Sequence, residues 1–239
     1  MKITLLVNHD PAAALALSYL EKSLAAHELS VFFTRKPSRA SNPVALQNLA
    51  EFEAACLTRD TKVFERLNAK RLNAINTHDF EQFTRSEPDL VISVRHMSIL
   101  QDAVIAVPRH GIINLHSGIL PDYQGVMATF WAMQNRASQI GTSLHWIDSS
   151  QIDKGAVITS TQQPVRYEKS YFWNVCNLYA AGCAAIAQTV NQLAEASKPN
   201  ATPQASPGHY YSYPDHAALA AFAYPLWDAN DSLKHWLDS

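Results

Sequence analysis

Asn114 and His116 stand two residues apart at the end of a short apolar run, Ile112 to Leu115. If that run is a strand extended through position 116, both side chains point to the same face. Asn114 offers an amide donor, and His116 can donate or accept a proton near neutral pH. An Asp arriving from another loop would orient the imidazole and favour its charged form. Such a set stabilises a tetrahedral oxyanion and shuttles a proton, which is what acyl transfer to an amine requires. An Asn-x-His at a strand end is more often structural, so spacing alone leaves the choice open.

The surrounding stretch is unusual in one respect. The chain has only 7 glycines, and five of them (Gly111, Gly118, Gly125, Gly141 and Gly155) fall between 111 and 155. Glycine supplies tight turns and close backbone approach, so this window is being shaped into loops. It also holds His145, Asp148 and Asp153. The 10 histidines show no His-x-x-x-His or similar ligand spacing, and no catalytic metal is expected.

The elements that must position these residues follow from periodicity. Continuous β-favouring runs at Ile3–Val7, Leu29–Thr34, Asp89–Val94 and Ile112–Leu115 read as buried strands, with later strands at Thr142–Ile147 and Ala156–Thr161. Pro11 opens a helix through Ala12 to Ala25, and Ser41 to Ala74 is helix-rich. Val126–Arg136 reads as a helix and Ser170–Ala196 as one long alanine-rich helix. The alternation predicts an α/β fold: a Rossmann-like, mostly parallel sheet with helices on both faces. Open sheets of this kind carry their sites at the carboxyl ends of strands.

Lys198–Pro207, polar and with three prolines, reads as a connection. The expected organisation is therefore a catalytic domain over residues 1–200 and a short C-terminal appendage over 201–239.

Composition bounds the partners. A net charge of −2, with no run of Lys or Arg beyond a pair, argues against nucleic acid. No stretch approaches the ~20 apolar residues of a membrane span, and the N-terminal apolar run is too short for a signal peptide. The three cysteines (Cys56, Cys176, Cys183) lack a Cys-x-x-Cys pair and read as buried thiols of a reducing compartment. A soluble, cytoplasmic protein is expected; a homodimer is left open.

Three segments resemble the folate-dependent formyltransferase family. INLHSGILPDYQG (Ile113–Gly125) resembles its first signature, and GTSLHWIDSSQIDKGAVI (Gly141–Ile158) its second, a strand carrying His that leads to Asp-x-Gly. SVRHMSIL (Ser93–Leu100) resembles the strand and loop that line the family's folate pocket. The resemblance implies a catalytic trio of Asn114, His116 and Asp153, and 10-formyltetrahydrofolate as co-substrate. It also implies a pterin held mainly by backbone groups of Met97, Ser98 and Leu100 on one side, and of Ile147, Asp148 and their successors on the other.

This chain departs from the family pattern in three places. Ser117 and Gly118 stand where Pro and Ser are usual, Gln124 replaces Arg or Lys, and the loop from His145 to Asp153 is one residue longer.

Bland readings compete at several of these positions. His145 is as readily a satisfied strand histidine as a site residue, and His9-Asp10 is an ordinary turn and helix start. Arg95 and His96 face either a ligand or solvent. Phe130 and Trp131 read as core, and the aromatic cluster His209–Tyr213 as a pin for the appendage.

The acceptor is read by exclusion. Too few residues follow Pro207 for the second domain of a methionyl-tRNA enzyme. NHDPAAALAL after the first strand lacks the glycines of a glycinamide ribonucleotide phosphate loop. A small-molecule amine remains, a nucleotide-linked amino sugar first among them. A hydrolase passing the formyl group to water is the rival, and the absence of Gly-x-Gly-x-x-Gly after the first strand disfavours a nicotinamide enzyme.

Overall fold

The structure, a computed structural model, describes residues 1–35 and 42–238. β1 (Lys2–Asn8) buries side chains on both of its faces, as a central parallel strand must. The Asp10 carboxylate then accepts from the Ala13 amide at 2.8 Å, and Pro11 fills the first turn, so α1 (Pro11–Ser23) starts at once. β2 (Glu28–Thr34) returns parallel to β1.

The stretch read as helix-rich begins at Ser41, which lies outside the described residues. It contains α2 (Val44–Asp60) and α3 (Val63–Arg66), and then departs from helix. β3 (Lys70–Arg71) pairs with the outer edge of β2. Leu72, fully buried just after it, docks the segment there, and a two-residue ladder has no period to read.

α4 (Phe80–Thr84), β4 (Leu90–Val94), α5 (Asp102–Ile105) and β5 (Ile112–His116) follow in order. Next come β6 (Gln124–Gly125), α6 (Ala128–Gln134), β7 (Gln139–Ile147) and β8 (Val157–Pro164). The stretch read as one long helix is two, α7 (Tyr171–Cys176) and α8 (Tyr179–Ala194), parted at Asn177, whose side chain accepts from Trp236 Nε1. β9 (Tyr210–Tyr211), α9 (His216–Ala221) and α10 (Lys234–Leu237) complete the described chain.

Seven strands among the described residues form one sheet in the order β3-β2-β1-β4-β5-β7-β8. Pairing is parallel from β3 through β5 and antiparallel where β7 joins β5 and β8 joins β7. The chain winds outward one way through β2 and β3, then resumes on the other side of β1 with β4. The carboxyl ends of β1 and β4 are thus a topological switch point.

Alternate strand residues feed two cores. Leu5, Val7, Ile92, Val94 and Leu115 pack with α1, α2, α6, α7 and α8 on one face. Leu6, Phe32, Val91 and Ile112 pack with Leu72, Phe83, Leu100 and Val104 on the other.

The C-terminal residues lie along the body. Trp227 stacks on Phe52 at 5.7 Å between ring centroids, and Phe222 stacks on Phe130 at 4.3 Å. β9 pairs parallel with β6. Phe130 is core as read, whereas the half-buried Trp131 stacks on Tyr211 at 5.1 Å and donates Nε1–H to the Ser212 carbonyl. It faces the C-terminal segment more than the sheet. No helix among the described residues is long and apolar enough to cross a membrane.

Candidate active site

Asn114 and His116 project from the same face of β5, as their spacing requires. β4 and β7 flank that strand, with Ser93 and His145 level with Asn114. Ser93 Oγ donates to Asn114 Oδ1 at 2.8 Å, which leaves the amide nitrogen to face His145 Nε2 at 3.1 Å. His145 Nδ1 lies 2.8 Å from the Trp146 carbonyl. A carbonyl only accepts, so Nδ1 carries a proton and Nε2 of the neutral ring accepts from Asn114. A second proton on Nε2 would turn it to donate to Asp153 Oδ1, 3.3 Å away.

His116 lies at the strand's end and is 7% exposed. Its Nε2 donates to the Tyr123 carbonyl at 2.6 Å, and its Nδ1 faces Asp153 Oδ2 at 3.5 Å. Gly118 is where the chain folds back over this ring: a β-carbon there would sit 2.5 Å from Nε2. The departure from the family pattern at that position therefore has a steric consequence.

Asp153 arrives on the loop after β7, 8% exposed and with a left-handed backbone, φ 52°. The Gly125 amide donates to its Oδ2 at 2.8 Å. Burial opposes its ionisation, but the His116 and His145 rings and the Gly125 amide outweigh burial and hold the carboxyl at about 2. Gly125 itself sits at φ 93°, and a β-carbon there would meet the Tyr211 carbonyl at 2.1 Å. Asn114, His116, Asp153 and His145 thus form one connected cluster.

The remaining candidates lie around it in differing ways. Met97 and Ser98 are half-buried on the loop after β4. Leu100 is 4% exposed and anchors that loop in the second core, where the half-buried Ile147 also packs. Ile147 pairs with Ile112, so it flanks the same sheet face as Asn114. Asp148, just beyond it, is exposed and takes no part in the cluster's hydrogen bonds.

Sequence reasoning missed Asn76, which ties the loop from both sides: its Nδ2 donates to the Ile99 carbonyl at 2.8 Å and its Oδ1 accepts from the Gln101 amide at 3.0 Å. It also missed Ser93 and Gln204.

At the head of α1, Arg95 Nε pairs with both Asp10 oxygens at 2.8 and 2.9 Å, on a side chain 22% exposed. Asp10 is therefore both the helix start that was read and one half of an ion pair. Among the described residues, no group of three or more His, Cys, Asp or Glu side chains is placed to hold a metal ion.

The chain is similar to known proteins in sequence and in fold. Residues 20–171 match the formyl transferase family. A methionyl-tRNA formyltransferase of Fusobacterium nucleatum is 28% identical over 158 residues, 65% of this chain and 48% of that protein. GDP-perosamine N-formyltransferase of Brucella melitensis is 31% identical over 86 residues, 36% of this chain and 33% of that protein. The chain spans about half the length of the curated relatives it matches over most of its own. An N-formyltransferase from Helicobacter canadensis, solved with folinic acid and dTDP-3-aminofucose, shares the fold with a TM-score of 0.60 at 15% identity, over 89% of this chain and 71% of that one. By the match across most of its length, this chain belongs to the formyl transferase family.

Proposed function

We propose that this protein transfers the formyl group of 10-formyltetrahydrofolate to the amine of a small molecule, with a nucleotide-linked amino sugar as acceptor. The observation that carries this is the convergence of Asn114, His116, His145 and an ionised Asp153 on one buried cluster. The donor set fits a formyl carbonyl under attack: an amide N–H, two imidazoles and one fixed negative charge. The loop Met97–Gln101, fastened by Asn76, fits a backbone cradle for the pterin beside it.

The co-substrate supplies an activated formyl carbon. Asn114 Nδ2 turns from His145 to the carbonyl oxygen as it becomes an oxyanion, and a protonated His116 sets positive charge beside it. Asp153 stabilises that charge. As the acceptor nitrogen bonds to the formyl carbon, the bond from carbon to the folate nitrogen breaks. The proton lost by the amine reaches the departing nitrogen through water held at Asp153 and His145.

Support for the acceptor is the likeness to the perosamine enzyme and the shared fold with an enzyme that holds an amino-sugar nucleotide. A second reading, formylation of methionyl-tRNA, is favoured by the longer sequence match to those enzymes. The test is tetrahydrofolate release from 10-formyltetrahydrofolate with a panel of amines, nucleotide-linked amino sugars and methionyl-tRNA. Release that depends on one amino sugar, with the formyl group on it by mass spectrometry, is the expected result. Release that needs the tRNA favours the second reading, and release without any amine makes the protein a hydrolase.

A further inference from the structure

We infer that Gln204 is a positioning residue of this site, holding Asp153 in its left-handed backbone conformation and locking it to the loop that carries Gln124 and Gly125. Asp153 is not glycine, and a β-carbon disfavours φ 52° unless the surroundings impose it. The Gln204 side chain supplies that constraint. Its Nε2 donates to the Asp153 carbonyl at 2.7 Å and to the Gly155 carbonyl at 3.0 Å, bracketing the turn. Carbonyls only accept, so the orientation of the Gln204 amide follows from these partners. Its Oε1 is thereby left to accept from Gln124 Nε2 at 3.1 Å.

The contacts close into a ring. Gln204 holds the Asp153 backbone, the Asp153 carboxylate accepts from the Gly125 amide, and Gln124, next in the chain to Gly125, returns to Gln204. Gln124 is fully buried, and among the described residues its Oε1 has no hydrogen-bond partner. Among the described residues its side-chain amide therefore depends on Gln204 alone, and losing that contact leaves a buried polar group unsatisfied.

The same segment grips the loop through its backbone: Gln124 N–H donates to the His209 carbonyl, and His209 N–H to the Pro121 carbonyl. Gln204 also lies beyond residues 20–171, so this support comes from outside the part of the chain that matches the family.

The titratable and charged groups around Asp153 are few. His116 faces it from β5 and His145 from β7. Lys154, next in the chain, turns its Nζ to the Pro207 carbonyl. Asp122 on the loop and His209 on the C-terminal segment are exposed. Release of the turn would move the carboxylate away from the two imidazoles and the Gly125 amide together, so its titration reports the positioning directly.

The test is Gln204→Met, which keeps the apolar stem and removes the hydrogen bonds, read by carboxyl 13C NMR of Asp153 between pH 3 and 6. In the parent protein the carboxyl is expected to stay ionised across the range. In the variant it should titrate within it, near the ordinary aspartate value of about 3.9. Formyl transfer should fall at least about 10-fold in kcat with KM for the amine little changed. A folded variant whose Asp153 still titrates as in the parent overturns the inference.

If Gln204→Met does not fold, Gln124→Met decides, since it removes the other end of the lock and leaves both carbonyl contacts. A partial shift in Asp153 supports the inference, and none overturns it. The kinetic consequence rests on the proposed formyl transfer, whereas the titration does not. A parent protein inactive on every amine would defeat that reading and leave the positioning result standing.

Discussion

Asp153 is where opposing effects in this site have a measurable sum. Burial raises its carboxyl, the two imidazoles and one amide lower it, and it settles at about 2 against an unfolded value near 3.9. Because the folded carboxyl titrates below the unfolded one, the stabilisation is full above about pH 4 and disappears as pH falls through about 2. The full difference corresponds to roughly 2 to 3 kcal/mol. Denaturant unfolding should therefore show the parent losing about 2 kcal/mol more than Asp153→Asn between pH 4 and 2; parallel curves would show that the carboxylate is not held this way.

Asparagine tolerates the left-handed backbone and can still accept from the Gly125 amide, so Asp153→Asn should fold. It cannot balance a protonated His116, and His116→Ala removes that charge outright. Each is expected to lose roughly 10²–10³ in turnover in single-turnover assays, and full activity in either would remove that residue from the mechanism. Asn114 and His116 were legible in the sequence because a two-residue period puts them on one face whatever surrounds them. His145 was not separable from a structural histidine, because its place in the cluster depends on how the loop after β7 brings Asp153 back to meet it.

At the level of elements, the strand runs were legible because buried strands are short, apolar and bounded by turn formers. The strand β5 came out where its apolar run put it, one residue longer, through His116. The long alanine-rich stretch read as unbroken helix because no local signal marks the turn at Asn177; its partner there is Trp236, 59 residues away.

The loop after β4 illustrates the same limit. Its apolar anchor Leu100 belonged to a recognisable motif, while the Asn76 side chain that ties Ile99 and Gln101 came from a segment with no pattern. Asn76→Ala removes two hydrogen bonds of about 1 kcal/mol each. Initial-rate kinetics should show KM for the formylfolate rising about 10-fold with kcat little changed, and Tm should fall by several degrees. An unchanged KM would mean the loop holds its shape without Asn76.

Across the whole molecule, charge gathers at the switch point where β1, β4, α1 and α2 meet. Arg95 pairs with Asp10 there, and Glu53 faces them from the stripe of α2 that carries Leu46, Leu49 and Cys56 into the core. Burial, and next the Asp10 charge, push the Glu53 carboxyl up to about 7, with Arg95 opposing them. A carboxyl that titrates higher folded than unfolded costs nothing below about pH 4.3 and costs progressively more as pH rises toward 7. Glu53→Gln is therefore expected to stabilise the protein by about 1–2 kcal/mol at pH 8 and by almost nothing at pH 4.5. Thermal unfolding at the two pH values measures it; an equal effect at both would point to packing and not charge. Two acids on one arginine were invisible in the sequence, since Asp10 and Arg95 lie 85 residues apart.

The sequence by itself determined the class of fold, the strand that carries Asn114 and His116, and the motifs that point to formyl transfer. Those rest on local periods and on spacings within single segments, which survive any packing. Only the tertiary structure decided that His145 joins the cluster and that Asp153 meets both imidazoles. It alone showed Gln204 reaching back 51 residues to hold Asp153 in place. Such contacts depend on how a sheet edge, two loops and the C-terminal segment meet in space. No run of neighbouring residues encodes that meeting.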